Sequence, residues 1–212
     1  MAFDIYQLDH LESDDFEKQL WAYQNELEEL FSDSPEGQAY LQVNPDMGFW
    51  SAQLIDYGYS YIGVTIPQMR ETHLQELLSE VFPRKITLSA PDEADDALPE
   101  LIAFWEYLQR EYQLPAAGEI LAYLRELPPQ QLTQWMNDSS RFGMAKSFMM
   151  AGKQAGFDMT SEKEMQAFQT FYNANLPRFG GLFDNLLLPR LITHHVAASC
   201  FNARRTNSFE PT

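Results

Sequence analysis

Residues 91–112 read PDEADDALPELIAFWEYLQREY. Leu98, Leu101, Trp105, Leu108 and Tyr112 recur at spacings of three and four, so a helix over this stretch gathers them on one side. Polar residues take most of the remaining positions, the pattern of a helix half sunk in a core. Its start is densely acidic. Asp92, Glu93, Asp95 and Asp96 suit the positive end of a helix dipole, and on a first turn they would be solvated.

The same period continues on both sides. Downstream, Leu114-Pro115 breaks the chain and a helix is predicted over 116–127. Pro128-Pro129 breaks it again before a short helix over 130–136. Residues 137–140, Asn-Asp-Ser-Ser, form a turn and cap cluster that opens a helix over 141–155, and Ser161 with Glu164 caps a last one ending near Asn175. Upstream, Thr72 with Gln75 marks a helix over 73–82 that Pro83 ends. Residues 46–58 form another around Phe49, Trp50 and Leu54. Ser34-Pro35 starts a short helix with proline at its first position, and residues 13–31 form an amphipathic helix with Phe16, Leu20, Tyr23, Leu27 and Leu30 inward. Glu26, Glu28 and Glu29 read as its acidic outer surface. The exception is the aromatic and β-branched run 59–66, which reads as extended and can pair with 86–88 as a short two-stranded element. The expected fold is therefore all-α, a compact multi-helix bundle with at most that one β element. Residues 1–176 are expected to form the helical domain, with acidic helices in 1–45 and the main body in 46–176. Residues 177–212 read as an appendage whose end, from Arg204, is expected to be disordered.

Two longer segments, 99–112 and 142–160, together with Asp56-Tyr-Gly-Tyr-Ser-Tyr-Ile-Gly63 and Phe82-Pro-Arg-Lys85, resemble an uncharacterised bacterial helical family over about residues 46–176. The resemblance implies a helical, bacterial, cytoplasmic protein. It implies no activity and no role for any residue.

Composition narrows the function classes. The chain of 212 residues carries a net charge of −17, and residues 1–100 hold 21 acidic against 4 basic side chains, so the first half accounts for the whole excess. Such a charge repels phosphate backbones and anionic lipid, which argues against direct nucleic-acid or membrane partners. The N-terminus has no basic start and no apolar run, and no stretch approaches the ~18 apolar residues of a membrane span. One cysteine, Cys200, rules out an internal disulfide, and a cytoplasmic location is expected.

Catalytic and metal signatures are absent from the sequence. His194 and His195 are adjacent, so on a helix they point about 100° apart and rarely share one ion. His10 and His73 are isolated, and no cofactor motif occurs. Cys200 with His194 or His195 is the one thinkable nucleophile–base pair, and it falls in the appendage, so no catalytic residue is assigned. Two candidate sites follow. The first is the acidic run Asp92, Glu93, Asp95 and Asp96 as a docking patch for a basic partner protein, making the chain an interaction or regulatory module. The alternative is a small-molecule-binding protein or unusual enzyme whose pocket uses Tyr57, Tyr61, Lys146 and Lys153. That pocket would lie between the 57–61 segment and the helix from Gly143 to Gly156. Small residues at four-residue spacing in that helix, such as Gly152 and Gly156, predict close packing.

Overall fold

The 16-residue helix α6 (Ala97–Tyr112) is the axis around which the first half of the chain is built. Leu101, Phe104, Trp105 and Leu108 are all completely buried on it. The computed structural model describes residues 3–10, 16–44, 46–88 and 90–175; the appendage with Cys200, His194 and His195 lies outside them. The chain divides into two units, Met1–Gly143 and Met144–Thr212. Among the described residues helices and helical turns are the only regular structure, and no strand occurs.

In the first unit, α1 (Phe16–Asp33), α2 (Pro35–Leu41) and α3 (Phe49–Tyr57) precede α4 (Glu71–Glu76), α5 (Phe82–Lys85) and α6. They are followed by α7 (Ala117–Glu126) and α8 (Gln131–Asn137). Helix α6 packs against α2, α3 and α7, while α1 closes over α2 and α3. On α1 the buried face is Leu20, Tyr23, Leu27 and Phe31. Phe31 replaces the expected Leu30, which is exposed, because its ring packs edge-on to Phe104 at 5.3 Å and buries more apolar surface. The Ser34 hydroxyl accepts from the Gly37 N–H at 3.0 Å and starts α2 with Pro35 in its first turn, as its sequence predicts.

Gly37 is required by this close approach. A Cβ there would overlap the Phe31 carbonyl oxygen, a backbone atom held by the cap itself. Gly37→Ala is therefore expected to destabilise the first unit by about 2 kcal/mol, measurable by urea denaturation. A change below about 0.5 kcal/mol would show that the α1–α2 corner relaxes freely.

The optional β element is not formed: both 59–66 and 86–88 are free of strand. Residues Gly58–Ile62 continue α3 as a wide π-helical turn, ended by Gly63 in the left-handed region at φ 79°. The aromatic and β-branched content there serves burial instead of a strand. Tyr59 stacks on Phe16 at 4.5 Å, and Ile62 and Val64 pack on the core. A second wide turn, Leu77–Val81, joins α4 to α5, so the helical path runs through Pro83 instead of stopping there. Proline has no N–H to donate. The Ser79 carbonyl, to which residue 83 would donate in a regular α-helix, instead accepts from Arg141 Nη1 at 2.6 Å. The start of this path is also shifted. His73 Nδ1 accepts from the Arg70 N–H at 3.3 Å, so Arg70 takes the cap position in place of Thr72.

The second unit contains α9 (Met144–Gln154) and α10 (Glu162–Asn175). Met149, Met159, Phe168 and Tyr172 form its core, with Phe148 and Phe157 packed at 4.8 and 5.3 Å from the Phe168 ring. Gly152 is where Met159 enters, since a Cβ would overlap the Met159 side chain, whereas Gly156, also expected to pack closely, instead turns the chain at φ 88° with no described atom within 4 Å of a Cβ there.

Candidate functional site

The acidic run stands at the entrance to α6. A 3-10 turn, Pro91–Ala94, precedes the helix, which starts at Ala97 and not at Pro91. Ala94 and Ala97 face the core, which leaves Asp92, Glu93, Asp95 and Asp96 exposed. Asp95 accepts the Thr133 hydroxyl of α8 at 2.6 Å, fixing the turn against its neighbour. Ion pairs also tie the helices of the first unit together. Arg110 meets Glu36 at 2.7 Å and Glu111 at 2.8 Å, Arg125 meets Glu106, and Arg141 meets Glu80 and Asp138. The unit boundary sharpens the charge asymmetry. Residues 1–143 hold 26 acidic against 7 basic side chains, a net −19, and residues 144–212 hold 5 against 7, a net +2.

Beneath this face lies a polar cluster that sequence reasoning missed. Glu100 is one turn into α6 and only 1% exposed. Its Oε1 accepts from the Ser51 N–H at 2.7 Å and the Ser51 hydroxyl at 2.9 Å. Burial pushes the Glu100 carboxyl up, while those bonds and the Gly48 and Trp50 N–H groups pull it back. Glu100 thus supplies from another helix the acceptor that the first N–H groups of α3 need, and its charge complements that helix terminus.

Two polar atoms beside Glu100 are buried without a hydrogen-bond partner, Glu28 Oε1 and the Tyr40 hydroxyl. Glu28 lies over the loop before α3, its Oε2 3.4 Å from where a Cβ on Gly48 would stand. Burial first, and then the like charge of Glu100, push Glu28 up to about 7, against a smaller opposing contribution from Gln24. Tyr40 is 6% exposed. Burial raises its phenol, and Glu100, Asp96 and Asp46 raise it further. The charges acting on this hydroxyl are all carboxylates.

The pocket candidates are divided between the two units. Tyr57 is a core ring, packed against Phe82 at 6.1 Å and Tyr61 at 5.3 Å. Tyr61 is half exposed with Lys85 Nζ 4.4 Å above its ring. Both belong to the first unit, whereas Lys146 and Lys153 belong to α9 of the second. Lys153 is exposed; Lys146 is buried, and burial lowers its ammonium to about 8. His73 serves as the helix-start acceptor described above. Among the described residues no three His, Cys, Asp or Glu side chains converge as a metal site would require. Likewise, among them no helix is long and apolar enough to cross a membrane.

Two signals could have found the missed residues. Glu100 falls three residues after Ala97 and four before Phe104, in phase with the buried stripe of α6. Glu28 is adjacent to the fully buried Leu27. Tyr40 had no such signal, because Asp96 and Glu100, which raise its phenol, are remote from it in the chain. Comparison of the chain with protein-family models, curated proteins and solved structures finds no match to it.

Proposed function

We propose that the chain is an acidic interaction or regulatory module that binds a basic partner protein. The observation that carries this reading is the confinement of the excess negative charge to the first unit, 26 acidic against 7 basic side chains. The cluster Asp92, Glu93, Asp95 and Asp96 is its densest exposed run. Charge held on one rigid face steers a complementary surface into register and speeds encounter, and it is screened over about 10 Å at 0.1 M salt. The turn that carries the run leads into the buried helix α6, and Asp95 accepts from Thr133 of α8, which supports a fixed presentation of its charge.

The test is affinity capture with the tagged full chain from source lysate at about 50 and 200 mM salt, read by mass spectrometry. The expected result is a basic protein retained at the lower salt and depleted at the higher. It should be lost from the variant carrying Asp92→Asn, Glu93→Gln, Asp95→Asn and Asp96→Asn. Capture that ignores both salt and the four substitutions contradicts the reading.

A further inference from the structure

We propose that Glu28 is a proton-operated latch over the start of α3: protonated, its carboxyl rests on Gly48, and ionised, it swings out to water and uncovers that corner. The latch is separate from the docking reading and stands without it.

Two carboxylates meet at one helix start. Glu100 reaches it from α6, where its Oε1 accepts from the Ser51 N–H at 2.7 Å and the Ser51 hydroxyl at 2.9 Å. The Gly48 and Trp50 N–H groups donate to the same carboxylate. Glu28 reaches it from α1. A Cβ on Gly48 would stand 3.4 Å from Glu28 Oε2 and 3.8 Å from its carboxyl carbon, so the Glu28 side chain lies directly on the glycine. A helix start has only a few free N–H groups, and here they serve Glu100. Glu28 Oε1 is left buried with no hydrogen-bond partner.

A neutral acid can stay in such a place more easily than a carboxylate. An ionised carboxyl only accepts hydrogen bonds, and out of water it needs donors or a counter-charge. Gln24, one turn back on α1, is its side-chain donor, while Glu100 opposes it with like charge. The other groups bring no relief. Ser51 of α3 is neutral, and Asp46, two residues before Gly48, is negative and exposed. Helix α2 and the turn over residues 7–10 also pack on α1, and among the described residues they place no charge that shifts Glu28.

The way out is short. Glu28 stands between buried Leu27 and exposed Glu29, at the edge of the inward face of α1, so a change of rotamer carries its carboxyl to water. Gly48, at φ 101°, has no side chain to fill the space left behind. Burial above all, with a smaller share from Glu100, raises the carboxyl to about 7, so release falls near neutral pH. On release the first unit gains an exposed negative charge and water reaches the start of α3.

The test follows the full-length chain by NMR between about pH 5.5 and 8.5, a range that brackets the raised carboxyl. The contact between the Glu28 γ-protons and the Gly48 α-protons is expected at the lower pH. It should disappear at the higher pH, in step with the carboxyl carbon signal of Glu28. The contact between the Phe31 and Phe104 rings, 5.3 Å apart, should persist throughout, because α1 itself stays in place. In Glu28→Gln the substituted side chain should keep its contact with Gly48 at both ends of the range.

Ionisation of Glu28 with its Gly48 contact intact overturns the latch, since the charge is then tolerated in place. Loss of both contacts together also overturns it, because the whole unit has then opened. A pH-dependent loss in Glu28→Gln assigns the trigger to another group and does the same. So does a Glu28 carboxyl that titrates at its ordinary 4.5, or a Gly48 contact missing at either pH.

Discussion

Glu100→Ala is expected to destabilise the first unit by about 4 kcal/mol, while Glu100→Gln stays within about 1 kcal/mol of the parent. The difference follows from what Glu100 accepts. Its Oε1 takes the Ser51 N–H and hydroxyl at 2.7 and 2.9 Å, and the Gly48 and Trp50 N–H groups face the same carboxylate. Alanine leaves these donors buried with no acceptor, at about 1–3 kcal/mol for each that water cannot reach. It also opens a void beside Leu101 and Phe104, both fully buried. Glutamine keeps an oxygen where Ser51 needs one and removes a buried charge whose carboxyl is already pushed up by desolvation. Urea denaturation of the two variants checks this. Equal losses would mean that the negative charge, and not the acceptor, holds the start of α3.

The second large effect depends on pH. Glu28 is raised from its ordinary 4.5 to about 7 in the folded chain, by burial first and by Glu100 second. Below about pH 4 the carboxyl is protonated whether folded or unfolded, and it contributes nothing. Between about 4.5 and 7 the unfolded chain has released this proton and the folded chain still holds it, so stability falls as pH rises. Above 7 the penalty is fully developed at roughly 3 kcal/mol, because every pH unit separating the folded and unfolded midpoints is worth about 1.4 kcal/mol. Glu28→Gln is therefore expected to match the parent near pH 4 and to exceed it by about 3 kcal/mol at pH 8. Parallel stability profiles for the two proteins across that range would show that Glu28 does not carry the effect. Since Glu100 faces the same space, Glu100→Gln should also lower the Glu28 midpoint, which side-chain carboxyl NMR would register.

Both predictions concern residues whose importance is only partly legible in the sequence. Periodicity alone places Leu98, Leu101, Trp105 and Leu108 on the buried side of α6, and the structure buries all four. It also implies the all-α class, because a stripe repeated every three or four residues has no use in a strand. Position 100 lies on that same stripe, but a glutamate there reads as solvent-facing unless its phase is weighed above its charge. The wide turns at Gly58–Ile62 and Leu77–Val81 leave no periodic trace. A π turn shifts the helical phase by one residue, so the pattern on its far side looks like a break. At Pro83 that break reads as an end, whereas Arg141, from residues far along the chain, takes the stranded carbonyl. Tyr40 shows the limit most clearly. Asp46, Asp96 and Glu100 act on it only after α2, the loop before α3 and α6 have met.

The acidic run itself is fully visible in the sequence, and the fold supplies what composition could not, namely its exposure and its attachment to a buried helix. The most direct measurement of the account is the affinity of the captured basic partner for the parent and for the fourfold-neutralised chain, across about 50–200 mM salt. The account predicts a steep decline with salt for the parent and a weaker, flatter curve for the variant. Superimposable curves would contradict it, because they would place the interface away from Asp92, Glu93, Asp95 and Asp96.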